Sequence, residues 1–290
     1  MRFFIVDCFA EEKYEGNELL VLLADRPVSD REQQAIAREI NFSETAFVFG
    51  GRRPNGGYDV RIWTPHREVP FAGHPTLGTA HVIREVLEGG SADQVTLNLA
   101  VGQIPVRVRD DVLYMTQNQP EFGPTIDPAI IAGAFGLSPA DIRADMPVQW
   151  VSTGLEAVIV PLASRKALAR ADWDRDAFSA YTRELPACYC NHLFYVPDGD
   201  GRLSARCLME DLVEDPATGS ANGDLAAYLL HHDCLGSDEA EYAVIQGEDM
   251  GRRSVLHVRA SVRRSNRDGP DAYSIEVGGG VRVVAEGDWH

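Results

Sequence analysis

Short apolar runs separated by turn residues mark strands along the whole chain, and two longer apolar stretches mark helices. Phe3–Cys8 reads as a strand, Gly16-Asn17 as a turn and Leu19–Leu23 as a buried strand. Ser29, with Glu32 three residues on, has the form of a capping box, and Ile36 and Ile40 continue the helix it opens. Ala46–Phe49 and Tyr58–Trp63 are predicted strands around the Asn55-Gly56-Gly57 turn. A loop from Thr64 to Pro75 leads into a predicted helix over about Thr76–Leu87, apolar at Leu77, Ala80, Val82, Ile83, Val86 and Leu87. Val95–Leu99, Ile104–Val108 and Leu113–Gln117 then read as strands.

The later part of the chain repeats this order. Val148–Val151 and Ala157–Val160 are predicted strands, followed by a helix over about Arg175–Leu185 and strands at Leu193–Val196 and Leu203–Leu208. A loop through Glu214–Ser220 precedes a second apolar helix, about Gly223–Leu230, and four strands close the chain: Ala243–Gln246, Ser254–Ala260, Ser274–Val277 and Val281–Ala285. The residues themselves repeat as well. Glu68-Val69-Pro70-Phe71-Ala72-Gly73 matches Glu214-Asp215-Pro216-Ala217-Thr218-Gly219 at an offset of 146 (214 − 68), as does Phe47-Val48-Phe49 against Leu193-Phe194-Tyr195. Arg38-Glu39-Ile40 with Arg183-Glu184-Leu185, and Arg61-Ile62 with Arg206-Cys207, match at 145 (183 − 38 and 206 − 61). Four matches in one order predict two related halves. The boundary falls where Pro and Gly interrupt the pattern, between Gln119 and Pro124.

Composition narrows the chemistry. The 290 residues are 44% hydrophobic and 24% charged, as in an ordinary globular protein of about two domains. Acidic residues outnumber basic ones 44 to 27, and a net charge of −17 repels phosphate backbones, which argues against nucleic-acid binding. No run approaches the ~18 apolar residues of a membrane span, and the apolar run at the N-terminus is too short for a secretory signal. Five cysteines (Cys8, Cys188, Cys190, Cys207, Cys234) form neither a disulfide framework nor a CxxC pair, so a cytoplasmic setting is expected. The two lysines, Lys13 and Lys166, lie outside any constellation suited to a pyridoxal Schiff base.

The duplicated Glu-x-Pro-x-x-Gly loops carry the functional signal. Each lies between a strand and an apolar helix. Gly73 and Gly219 permit positive φ or close approach of a ligand to the backbone. The amides of the following helix start favour a carboxylate or phosphate. Two such helix starts facing each other across a domain cleft would grip one small acid. Taken singly, each loop reads first as a tight turn with a proline helix starter; the repetition favours function. Gly73-His74-Pro75-Thr76-Leu77-Gly78-Thr79 lacks the lysine of a phosphate loop, and Gly278-Gly279-Gly280 precedes no helix. His66, Glu68 and His74 lack metal-ligand spacing, and His231-His232 at a helix end reads as a solvated terminus complementing the helix dipole. Acid–base groups remain: Glu44 in Asn41-Phe42-Ser43-Glu44-Thr45, which by spacing alone reads first as an ordinary capping or solvated carboxylate, His74 at a helix start that favours its neutral form, and Asp215 with Ser220 in the other half.

These three segments, Asn41–Thr45, Glu68–Gly78 and Glu214–Ala221, resemble the signatures of the PhzF-like family, named for the phenazine-biosynthesis isomerase, in order and spacing across nearly the whole chain. Gly16-Asn17 and Gly247…Gly251-Arg252 fit too, while Glu18 stands where the family usually has Pro. The resemblance implies a diaminopimelate epimerase-like α/β (α+β) fold: two pseudo-symmetric domains, each a barrel-like mixed sheet around a central helix, with the active site in the cleft between them. The domains would span 1–118 and 119–278, with the last strand, about 279–290, returning to the first. By the same resemblance Glu44 is the proton carrier, as in the isomerisation of trans-2,3-dihydro-3-hydroxyanthranilate. His74, Asp215 and Ser220 contact or orient substrate, and Gly73 and Gly219 supply backbone donors.

Related epimerases place a cysteine before each loop glycine; here those positions are Ala72 and Thr218. The expectation is therefore a cofactor-independent, metal-independent isomerase with one carboxylate base, acting on a small carboxylate-bearing metabolite and compatible with a homodimer. A racemase, epimerase or dehydratase using Glu44 with Asp215, and a non-catalytic binding or scaffold protein, are the alternatives. Trp63, Thr64 and Tyr189 are candidate specificity residues, or else core.

Overall fold

The computed structural model describes residues 1–183, 191–265 and 270–290, and the chain divides into two compact units, residues 1–116 with 278–290 and residues 117–277. In the first unit β1 (Arg2–Cys8) and β2 (Asn17–Ala24) are antiparallel, and α1 (Asp30–Ile40) crosses over to β3 (Thr45–Phe49), parallel to β2. β4 (Tyr58–Trp63) returns antiparallel to β3 and carries the two-residue β5 (Glu68–Val69). Helix α2 (Gly73–Val82) crosses to β6 (Gln94–Leu99), parallel to β4, and β7 (Gly102–Arg109) and β8 (Val112–Thr116) complete a meander.

The second unit opens with β9 (Glu121–Ile126) and α3 (Pro128–Ala134), then the antiparallel pair β10 (Val148–Ser152) and β11 (Glu156–Pro161). Helices α4 (Arg165–Arg170) and α5 (Arg175–Thr182) lead to β12 (Asn191–Asp198), parallel to β11. β13 (Arg202–Leu208) runs back along β12 and carries β14 (Glu214–Asp215); α6 (Gly219–His231) crosses to β15 (Glu239–Gln246), parallel to β13. β16 (Ser254–Arg263) pairs with β15, β17 (Ala272–Gly279) follows, and β18 (Val281–Asp288) returns to pair with β1 in the first unit. The two sequences of parallel and antiparallel pairings are the same, so the repeat read in the sequence is a repeat of topology.

The mixed sheets wrap the two apolar helices. α2 touches β1, β2, β3, β6, β7, β8 and β18, and α6 touches β10, β11, β12 and β16. Nearly every residue of both helices is buried, so neither shows one apolar stripe; that is the signature of a helix enclosed by its own sheet. Gly78 permits the enclosure: a Cβ there would lie 2.6 Å from Cys8 Sγ and 2.7 Å from Leu19 Cδ2. Outside the sheet, α1 covers Leu20, Leu22, Phe47 and Trp63 with Ile36 and Ala37, and α3, α4 and α5 cover Val148, Val158, Val160 and Phe194.

Several sequence expectations shift. The central helices start at Gly73 and Gly219, not near Thr76 and Gly223, and the first ends in a π-helical turn over Ile83–Leu87. Within the stretch 119–124, residues from Glu121 on belong to strand β9. Gly123 and Pro124 sit where its register with β10 slips, opposite Trp150, a place where a missing N–H is tolerated. Helices α3 and α4 were not expected. Ser29 caps α1 by accepting the Glu32 N–H, while the Glu32 carboxylate bonds Arg26. His231 stacks on Phe122 with ring centroids 4.0 Å apart, and burial pushes both His231 and His232 down, away from the charged, dipole-complementing form. Glu184 and Leu185 of the predicted helix lie outside the described residues, as do Cys188, Tyr189 and Cys190. Among the described residues no helix is long and apolar enough to cross a membrane.

Candidate active site

Both motif loops are held by the same device. In the first unit β5 pairs with β4 through Ile62↔Val69 and Trp63↔Glu68; in the second, β14 pairs with β13 through Cys207↔Asp215 and Leu208↔Glu214. Arg61 grips Glu68 with Nε and Nη2, both at 2.6 Å, and Arg206 grips Glu214 at 2.9 and 2.7 Å. The repeated glutamates are therefore anchors. Such two-point arginine–carboxylate contacts fix the direction in which each loop leaves its strand.

Past the anchors, Gly73 and Gly219 are the first residues of α2 and α6, and the preceding Ala72 and Thr218 make no side-chain cap. The backbone there is right-handed helix, so the value of glycine is close approach to the first-turn amides, not a left-handed turn. His74 and Ser220 follow, both buried.

Glu44 reaches the start of α2 from another direction. Asn41 ends α1 in the left-handed conformation (φ 58°) with its N–H on Ala37 O, and the chain runs through Phe42 and Ser43 to Glu44, just before β3. This places Glu44 Oε2 3.5 Å from His74 Nε2, with the two side chains 19% and 7% exposed. Burial, the dominant cause, pushes the His74 pKa down to about 3, with a bond to the Glu18 backbone opposing it. A backbone bond that favours the imidazolium accepts from the ring. Because Nε2 has no hydrogen-bond partner, the donor is Nδ1. Neutral His74 thus turns its Nε2 lone pair toward the Glu44 carboxyl. Cys8 lies nearby, its thiol raised first by burial and then by Asp7, with Glu44 contributing, so it is a packing group and not a nucleophile.

In the second unit Asp215 of β14, Thr218 and Ser220 sit at the start of α6. Thr218 Oγ1 donates to Asp215 Oδ2 at 2.5 Å. Gln246, at the end of β15, bonds Thr218 Oγ1 at 3.0 Å and the Asp215 carbonyl at 2.8 Å. Sequence reasoning missed Gln246 and the Glu18 backbone contact, because partners distant in sequence leave no local spacing signal. Of the candidate specificity residues, Trp63 is core, donating Nε1–H to buried Gln33 Oε1 at 2.8 Å, and the Thr64 hydroxyl folds its own loop by accepting from His66 N and Arg67 N. Tyr189 lies outside the described residues. No cluster of three or more His, Cys, Asp or Glu groups capable of holding a metal occurs among the described residues.

A model of the phenazine biosynthesis-like protein family matches residues 6–287. The chain belongs to that family. An uncharacterized isomerase of Clostridium acetobutylicum is 32% identical to this phenazine biosynthesis-like protein, over 96% of this chain and 94% of the relative. Trans-2,3-dihydro-3-hydroxyanthranilate isomerase of Pseudomonas aeruginosa is 30% identical over 99% and 98%. The crystal structure of a PhzF-family protein of Bacillus anthracis shares the fold, with a TM-score of 0.85 over 99% of this chain and 97% of that one at 24% identity. The family resemblance and the fold expected from the motifs are confirmed, and the curated relatives make this phenazine biosynthesis-like protein an isomerase-type enzyme.

Proposed function

We propose that this protein is a cofactor-independent isomerase of a small carboxylate-bearing metabolite, cyclic or a precursor of an aromatic ring, in which Glu44 moves a carbon-bound proton. The observation that carries the reading is the Glu44–His74 pair, with its neutral imidazole and largely buried carboxyl 3.5 Å apart. A carboxylate oxygen and an imidazole lone pair facing each other favour a proton between them. Glu44 can take a proton from a carbon next to an electron-withdrawing group, keep it against His74 Nε2, and return it to another carbon on the same face.

The first-turn amides beginning at Gly73 suit a carboxylate, and in the second unit those beginning at Gly219 do so too, with Ser220 and Asp215 suited to neighbouring polar groups. An epimerase of the paired-thiol type would need bases at Ala72 and Thr218, and neither an alanine nor a threonine hydroxyl bonded to Asp215 is such a base.

The relative that acts on trans-2,3-dihydro-3-hydroxyanthranilate supplies the first compound to try, within a panel of cyclic amino and hydroxy acids. In D2O, wild type is expected to incorporate deuterium into its substrate or product, and Glu44→Gln to lose at least about a hundredfold in rate, the low end of general acid–base contributions. Equal exchange by both proteins contradicts the assignment of Glu44. Exchange at an α-carbon with inversion of configuration would support the epimerase reading instead.

A further inference from the structure

The Arg–Glu anchor is present in both halves, but a second network is present in only one. In the second unit Gln246 Oε1 accepts from Asn222 Nδ2 at 2.9 Å and Thr218 N at 3.4 Å, while its Nε2 donates to the Asp215 carbonyl at 2.8 Å and to Thr218 Oγ1 at 3.0 Å. The orientation of this amide is fixed by its partners: a backbone carbonyl can only accept, and a backbone N–H or an amide NH2 can only donate. Thr218 Oγ1 therefore receives a hydrogen from Gln246, and its own single hydrogen goes to Asp215 Oδ2, 2.5 Å away. Gln246 is fully buried, and Gly247, in the left-handed conformation (φ 76°), brings the strand end against the loop; a Cβ there would lie 2.8 Å from Pro216 O.

The matching register of the first unit shows what the network is for. Asp59↔Asn98 in β4–β6 corresponds to Ser204↔Ile245 in β13–β15, so Leu99 stands where Gln246 stands. Val69 stands where Asp215 stands, and Ala72 where Thr218 stands. Three polar groups in one half correspond to three apolar ones in the other, and the first loop has a cavity of about 340 Å3 beside Val69, Pro70, Leu99 and Ala100. Holding the loop's shape is the task of the duplicated arginine anchors. A network that accompanies Asp215 serves Asp215.

We infer that Thr218 and Gln246 are positioning residues: Gln246 forces the Thr218 hydroxyl to donate to Asp215, which aims that carboxylate and keeps it an acceptor for an amino or hydroxyl group of the substrate. The residue at the place of an epimerase's second thiol thus acts through hydrogen-bond direction. Its functional meaning rests on the proposed substrate role of Asp215, but its test needs no substrate and stands apart from the deuterium experiment. Two acidic neighbours of Asp215 share an arginine. Glu214 on its own strand pairs with Arg206 of β13 at 2.7 Å, and Asp249, after β15, approaches the same guanidinium at 3.8 Å.

The experiment is a carboxyl 13C NMR titration of protein labelled at aspartate, with the Asp215 signal assigned by Asp215→Asn. Removing the hydroxyl in Thr218→Val is expected to raise the Asp215 titration midpoint by about one unit, the scale of one lost hydrogen bond to a carboxylate. Thr218→Ser is expected to restore it. Gln246→Leu, which leaves the hydroxyl in place but unlocks its direction, is expected to raise the midpoint by less. Should Thr218→Val not fold, Thr218→Ser and Gln246→Leu decide. An unchanged Asp215 midpoint in the folded variants, with only their thermal midpoints lowered, would make the network a structural clamp and overturn the inference.

Discussion

At the scale of single residues, burial is the largest influence on the enclosed histidines. His74 and His192 are both enclosed, and burial pushes each down to about 3, against an ordinary value near 6.5. His192 bonds Tyr181 Oη through Nε2 at 3.1 Å inside a cage of Phe135, Phe178 and Tyr181. Below about pH 6.5 the unfolded chain binds protons that the folded chain refuses until near pH 3. The stability contributed is therefore complete above 6.5 and is lost as pH falls toward 3. Each histidine contributes a slope of about 1.4 kcal/mol per pH unit in that window. Urea unfolding at pH 7, 6 and 5 is expected to show this decline, and His192→Asn is expected to remove about half of the histidine-dependent slope. A decline of equal slope in the variant would show that His192 is protonated in the folded state.

The duplicated glycines were legible in the sequence because they recur at one offset, whereas Glu44 and His74 have no counterpart in the other half and stood out only through the family resemblance. The anchoring role of Glu68 and Glu214 was not legible, since each partner lies on a different strand and only the register between those strands brings them together. The sequence places His74 at a helix start, which favours its neutral form; in the structure burial lowers its pKa, against a bond to the Glu18 backbone.

At the scale of elements, the two anchors differ in surroundings and are expected to differ in energy. Arg206 and Glu214 are 11% and 14% exposed, and the guanidinium also binds the carbonyls of Leu168 and Ala171 at the end of α4. Arg61 and Glu68 are 31% and 36% exposed. Arg206→Ala leaves a buried carboxylate alone and is expected to cost about 3–5 kcal/mol. Arg61→Ala is expected to cost about 1 kcal/mol or less. Chemical denaturation of the two variants checks the order. The enclosed helix α2 has a tighter tolerance. Gly78→Ala drives a methyl into Cys8 and Leu19, with an expected loss of about 1–3 kcal/mol and a lowered Tm.

Strands and the order of elements followed from apolar runs, but the starts of α2 and α6 did not. Glycine, proline, serine and asparagine in Gly73-His74-Pro75 and Gly219-Ser220-Ala221-Asn222-Gly223 favour turns by intrinsic propensity. Enclosure by the sheet overrides that propensity, and a proline in the first turn gives up no intrahelical bond. Helix α3 did leave a signal, Asp127 as N-cap with Pro128 behind it, but its seven residues are too few for periodicity to register.

At the scale of the whole molecule, one plan is used twice, and the C-terminal strand completes its first copy. β18 pairs with β1 from Arg2↔Asp288 to Cys8↔Val281, and Trp289 stacks edge-on against Phe3 at 6.0 Å. Removing residues 281–290 uncovers the edge of β1, which sits beside α2 and leads to Cys8. The truncated protein is expected to aggregate or fail to fold, as judged by size-exclusion chromatography and circular dichroism. The two copies differ in what they carry: one has a histidine facing a carboxyl, and the other a hydroxyl-directed aspartate.

The central claim is that one carboxyl takes a proton from carbon and gives the same proton back. It is tested most directly by following a substrate deuterated at the carbon that loses hydrogen, converted in ordinary water under single-turnover conditions. The account predicts that part of the deuterium reappears on the new carbon of the product, on the same face, and that Glu44→Gln abolishes both conversion and transfer. Full conversion by Glu44→Gln, or complete loss of label together with inversion at the original carbon, would contradict it.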